Sequence, residues 1–204
     1  MDNQEYLNQI SGAARTSKKT KSGILSSPFF KVGVIGGAAL VFFLILGAIL
    51  GAGKTGVKEQ CFSLKLRLDN TLEIISTYQT DVKSSDLRSS SASLYSILSN
   101  TSRDLTNYVT EKYNYKEKSV PKNLVETATL EKDGLGAELF EAKINGILDR
   151  IYAHKMAYEI SWITTNEATI FNATNDEALK SLLTTSYDSL NNLYEKFSDF
   201  SETN

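Results

Sequence analysis

The chain has 204 residues, 41% of them apolar and 23% charged, with a formal net charge of -2 at pH 7 and one cysteine. The charge is unevenly placed: Met1 to Lys31 carries Arg15, Lys18, Lys19, Lys21 and Lys31 against Asp2 and Glu5, a balance of +3 that leaves -5 for the remainder. An acidic body without a basic stripe excludes nucleic acid as the expected partner, and a lone cysteine excludes an internal disulfide.

Residues 1–31, rich in Ser, Thr, Lys and Gly and without a sustained apolar period, read as a basic, mostly disordered tail suited to lie beside anionic lipid. Val32 to Gly53 then runs without a charge between Lys31 and Lys54. As a helix it covers about 33 Å, against about 30 Å of bilayer hydrocarbon, so 32–53 is expected to be a transmembrane helix with the lipid bilayer as its first partner. Phe29 and Phe30 stand where aromatic residues favour the membrane interface. A cleaved signal peptide is the rival reading, with Ala48 to Ala52 imitating a cleavage site, but a signal core is shorter than this run. The residues before Cys61 (Lys58, Glu59, Gln60) are not those of a lipoprotein site.

Within the run, Gly33 and Gly37 make one GxxxG and Gly47 and Gly51 another, close enough in phase to form a single stripe for a homodimer. Common glycine in membrane helices is the plainer account of the same residues. Ala48 to Thr55 fits a relaxed phosphate-loop pattern, but such a loop needs a strand before it and an α/β sheet around it. No nucleotide is therefore expected at Lys54. Residues 54–56 read as a glycine-rich joint.

Residues 57–200 carry helical periodicity nearly throughout, and only Pro28 and Pro121 interrupt the chain. Val57, Cys61, Leu64, Leu68, Leu72, Ile75 and Val82 share one face, with Cys61 expected to be a small buried side chain and an intermolecular disulfide the sharper alternative. Lys83 to Asp86 separates this helix from the next, with Ser85 or Asp86 as cap. Leu87, Leu94, Leu98, Leu105 and Val109 form the second stripe, with Ser91 and Ser102 as gaps in it. A long tyrosine-bearing crossover follows from Tyr113, with Pro121 opening a short helix to about Lys132 and Asp133-Gly134 closing it. The third long helix is expected from Leu135 to about Phe171, on the stripe Phe140, Ile144, Ile147, Leu148, Ile151, Tyr158 and Trp162. Thr174 and Glu177 have capping-box spacing, and Leu179, Leu183, Tyr187, Leu190, Leu193, Tyr194 and Phe197 make the final stripe before a polar end at 201–204.

The expected fold class is therefore all-α: one N-terminal transmembrane helix followed by an antiparallel four-helix bundle. That architecture is similar to single-span bacterial proteins carrying helical bundles, the LemA kind among them, although no family motif in the residues carries the likeness. It differs from the four-helix sensing domains of chemoreceptors in showing no second apolar run before Asn204.

Two function classes follow. The first is a membrane-tethered interaction module of the cell envelope, binding another protein and self-associating through the span. The second is a small-ligand-binding bundle in which Lys155, in the middle of an apolar face, forms a pocket with Tyr158 and Trp162; the plainer fate of Lys155 is to snorkel or to pair with Glu159. His154, at the edge of that face, has no companions for a metal, and no nucleophile–base or carboxylate pair stands out. No enzyme activity, catalytic residue, cofactor or metal is expected. The tail is expected in the cytoplasm and the bundle outside the cell membrane, although basic residues near the run are balanced, with Lys54, Lys58, Lys65 and Arg67 following it.

Overall fold

The computed structural model describes residues 56–200 as five α-helices and one 3-10 turn, with no strand among them. The basic tail, the apolar run with Gly33, Gly37, Gly47 and Gly51, the phosphate-loop-like stretch up to Thr55 and the polar end at 201–204 lie outside the described residues. Among the described residues no helix is long and apolar enough to cross a membrane.

Helix α1 spans Val57–Tyr78, α2 Ser85–Tyr113, α3 Lys122–Ile144, α4 Leu148–Ala173 and α5 Glu177–Ser198. α1 packs on α2, α2 on α5, α5 on α4 and α4 on α1, while α3 lies along α1 and α4. Polar cross-links fix the directions. Arg67 of α1 meets Glu159 of α4, whereas the later Lys83 and Ser84 amides reach the earlier Asp149, so α1 and α4 are antiparallel. Thr101 to Ser186 and Lys112 to Asp176 make α2 and α5 antiparallel in the same way.

The first two apolar stripes are where the sequence puts them. Cys61, Leu64, Leu68 and Ile75 of α1, and Leu87, Leu94, Leu98, Leu105 and Val109 of α2, are all buried. Burying a leucine side chain stabilises by about 1.5–3 kcal/mol, so these stripes decide which faces meet. The serine gaps are polar joints: Ser91 bonds the Tyr152 hydroxyl, and Ser102 donates to Asp69 at 2.6 Å. Helix boundaries shift by a few residues. α1 stops at Tyr78, leaving Val82 buried in the connection, and the cap of α2 is Ser84, whose hydroxyl oxygen accepts from the Leu87 amide at 3.3 Å. α5 is capped by Asp176, which accepts from Ala178 and Leu179, while Thr174 accepts from the Asp176 amide instead of forming a capping box with Glu177.

The larger correction concerns the middle of the chain. Asp133-Gly134 does not end a helix, and Leu135 to Phe171 is not one helix. α3 runs through Gly134 and breaks at Asn145-Gly146, where Gly146 has φ 72°. The Ile147 amide donates to the Ala142 carbonyl at 3.0 Å and the Gly146 amide to Lys143 at 3.2 Å, the paired bonds of a Schellman end. Gly134 lacks such bonds and sits on an exposed helix surface. The supposed stripe is thereby split, and Phe140 and Ile144 are 59% and 69% exposed. The helix after Pro121 starts where expected, at Lys122, but it runs on to Ile144 instead of stopping near Lys132. Tyr115, in the crossover, packs on α1, edge-on to Phe62 with centroids 5.1 Å apart.

Candidate functional site

α4 carries two buried glutamates in very different surroundings. Glu159, 3% exposed, receives a two-pronged hydrogen bond from Arg67, Nε to Oε2 at 2.6 Å and Nη2 to Oε1 at 2.7 Å. Arg67 also pairs with Glu131 of α3, and its guanidinium lies 4.9 Å from the centroid of Trp162. Burial works against the charge on Arg67, but the attraction of Glu159 and then Glu131 outweighs it and holds the guanidinium above its ordinary value. The cluster joins α1, α3 and α4. The remaining cavity beside it, between Asn70, Thr71 and Lys132, is about 10 Å³, room for no more than a water molecule.

Glu167 lies two turns further along α4 and is 1% exposed, yet among the described residues neither of its carboxyl oxygens makes a hydrogen bond. Ser186 of α5 is the hydroxyl that acts on it: its Oγ accepts from Thr101 at 2.9 Å, which leaves its own hydrogen free to turn toward Glu167. Burial pushes the Glu167 carboxyl up to about 8, with Ser186 opposing. Above it, between α4 and α5, is an open groove of about 190 Å³ lined by Glu167, Ala168, Phe171, Asn172, Leu183, Thr184 and Tyr187. Glu167 and Leu183, both buried, form its floor, and the part-exposed rings of Phe171 and Tyr187 stand at its sides. Because a buried polar group without a partner is costly, this arrangement is unusual in a structural interior.

The residues singled out from sequence have other surroundings. Lys155 pairs with Glu138 of α3, not with Glu159. Tyr158 is 41% exposed, and Trp162 is half-buried under Arg67. His154 is exposed. Cys61 is fully buried, and burial pushes its thiol up to about 12. Neither Glu167 nor the role of Arg67 was expected from sequence. The signal for Glu167 was spacing: Met156, Ile160, Ile163 and Ile170 are buried on the same seam, which a glutamate at 167 interrupts.

A third feature is on α3, which buries only Leu139 and Ala142. Leu130, Phe140 and Ile144 are 73%, 59% and 69% exposed, and with the exposed Ala137 they follow one outer face at intervals of seven, three and four residues. Comparison of the chain with protein-family models, with curated proteins and with solved structures found no match.

Proposed function

We propose that the protein is a single-pass, membrane-anchored interaction module, in which Val32 to Gly53 crosses the bilayer and a bundle of α1, α2, α4 and α5 displays α3 to another protein. The observation that carries this reading is the outer stripe of α3: contiguous exposed apolar residues on a helix are a common mark of a protein interface. The cycle of α1, α2, α5 and α4 closes without α3, so one face of α3 is left for a partner. The basic tail lies in the cytoplasm and the bundle on the far side, and the Gly33, Gly37, Gly47 and Gly51 stripe brings two copies together. The reading needs no cofactor, metal or catalytic residue.

A photo-crosslinking residue at Phe140, in cells carrying the full chain, tests it. Discrete protein adducts from position 140 that are absent from position 103, on the exposed Arg103 of α2, are expected. Equal, diffuse labelling from both positions would contradict the interface. Orientation is checked by fusing alkaline phosphatase after Asn204, since that enzyme folds only when exported. Active fusions are expected, and inactive but full-length membrane-bound ones would put the bundle in the cytoplasm.

A further inference from the structure

We propose, on the reading of α3 as an interface, that its outer face takes a basic amphipathic helix of another protein, whose apolar side chains cover Leu130, Phe140 and Ile144 while its lysines or arginines meet Asp133 and Glu141. The contacts that α3 already makes show the chemistry. Its inner side, where Leu139 and Ala142 are buried, is flanked by pairs of opposite charge with α1 and α4: Lys132 with Glu73 at 2.9 Å, Lys143 with Asp81 at 2.6 Å, Glu131 with Arg67 and Glu138 with Lys155. Two lysines of α3 are thus turned toward α1, and its remaining one, Lys122, pairs with Glu126 at 3.3 Å. Asp133 and Glu141 are exposed and have no ion-pair partner among the described residues. At about 100° per residue both project within about 60° of Leu130, so they lie in the apolar stripe and not against the bundle. The outer face therefore repeats the pattern of the inner one with its cations missing.

The same charges select the occupant. A second copy of the chain would bring carboxylates together in either direction. In a parallel pair Asp133 and Glu141 each face their own counterparts; in the antiparallel pair that sets Leu130 against Ile144 and Ala137 against its counterpart, Asp133 faces Glu141. Like charges opposed across a helix pair work against association, and an anionic lipid surface is repelled for the same reason. A helix with lysine or arginine beside an apolar seam satisfies both parts of the face. From Leu130 to Ile144 the face is about 21 Å long, so about four turns of the partner cover it.

The test uses the full chain in phosphatidylcholine nanodiscs, with empty discs as the blank, and fluorescent helical peptides of about 18 residues as probes. Two peptides share one leucine seam, flanked by lysine in the first and by glutamate in the second. Fluorescence anisotropy is expected to show saturable binding of the lysine-flanked peptide, roughly tenfold tighter than that of the other, with a preference that shrinks as salt is raised. Asp133→Lys with Glu141→Lys should invert the preference, and Phe140→Ser should weaken the lysine-flanked peptide tenfold or more. All three positions are exposed, and circular dichroism checks that both variants keep their helices. No saturable binding above the empty discs, equal binding of a scrambled lysine peptide, or a preference unaltered by the charge reversal would each overturn the proposal. A dimer in sedimentation that Phe140→Ser abolishes would overturn it too, since a second copy would then hold the face. Discrete protein adducts from a crosslinker at position 140 beside any of these failures would keep the interface and reject only its basic partner, whereas diffuse labelling from that position would remove the interface itself.

Discussion

Glu159 and Glu167 stand eight residues apart on the same helix and are both almost completely buried, yet only one of them is used by the fold. Glu159 is clasped by Arg67, which also holds Glu131 and lies over Trp162, and the charge is matched within α1, α3 and α4. Glu167 has no cation beside it among the described residues: neither carboxyl oxygen makes a hydrogen bond there, and the Ser186 hydroxyl is the one group that opposes its burial. The difference teaches that burial of a glutamate does not by itself say whether its carboxyl is held as a charge or left without a partner for one. What separates them is whether neighbouring helices complete the hydrogen bonds.

The comparison breaks most forcefully at Arg67. Replacing it by Met leaves Glu159 buried and unpaired, a change that costs about 3–5 kcal/mol, whereas the Arg67→Met/Glu159→Met pair removes both charges and should regain most of that loss. Urea unfolding followed by the fluorescence of Trp162, the one tryptophan, measures both. A double variant no more stable than Arg67→Met would mean that the cluster acts through shape and not through charge.

Glu167 should respond in the opposite direction. Its carboxyl is held up to about 8 in the folded chain against an ordinary value of 4.5, so between those values the folded state binds more protons than the unfolded one. Its contribution to stability is accordingly greatest below about pH 4.5, falls as pH rises, and levels off above about pH 8. Glu167→Gln should therefore stabilise the protein by roughly 2–4 kcal/mol at pH 8.5 and have little effect below pH 5. Unfolding midpoints across that range check the prediction, and a gain that is constant with pH would contradict it.

Much of the helical framework is legible in the residues. Leu87, Leu94, Leu98, Leu105 and Val109 announce α2 and its buried face because the spacing of leucines on a helix is a direct consequence of 3.6 residues per turn. The break between α3 and α4 was harder to place because two glycine signals compete, Asp133-Gly134 and Asn145-Gly146. The second ends the helix by forming a Schellman pair, and helix propensity alone does not distinguish them. Carrying one helix through that break also rotates the expected face of α4: the sequence stripe runs through Ile151, Tyr158 and Trp162 with Lys155 near its middle, while the buried seam follows Tyr152, Met156, Ile160, Ile163 and Ile170. Glu167 lies on that seam. In the polar run Thr164-Thr165-Asn166-Glu167 it resembles a surface residue, and only the docking of α5 makes it an interior one.

The same contrast between the two glycines gives smaller effects. Gly146→Ala forces a side chain into φ 72° and should cost about 1 kcal/mol or more. Gly134→Ala meets nothing within 4 Å and should stabilise by about 0.5–1 kcal/mol through helix propensity. Thermal unfolding of the two variants against wild type should move in opposite directions, and parallel shifts would contradict the assigned break.

The carboxyl titration of Glu167, followed by carbon-13 NMR of the full chain, tests the contrast with Glu159 most directly. The resonance should titrate near pH 8, because burial without a charged partner disfavours the carboxylate. A midpoint in the ordinary carboxylate range would show that the fold already satisfies the ionised form of Glu167.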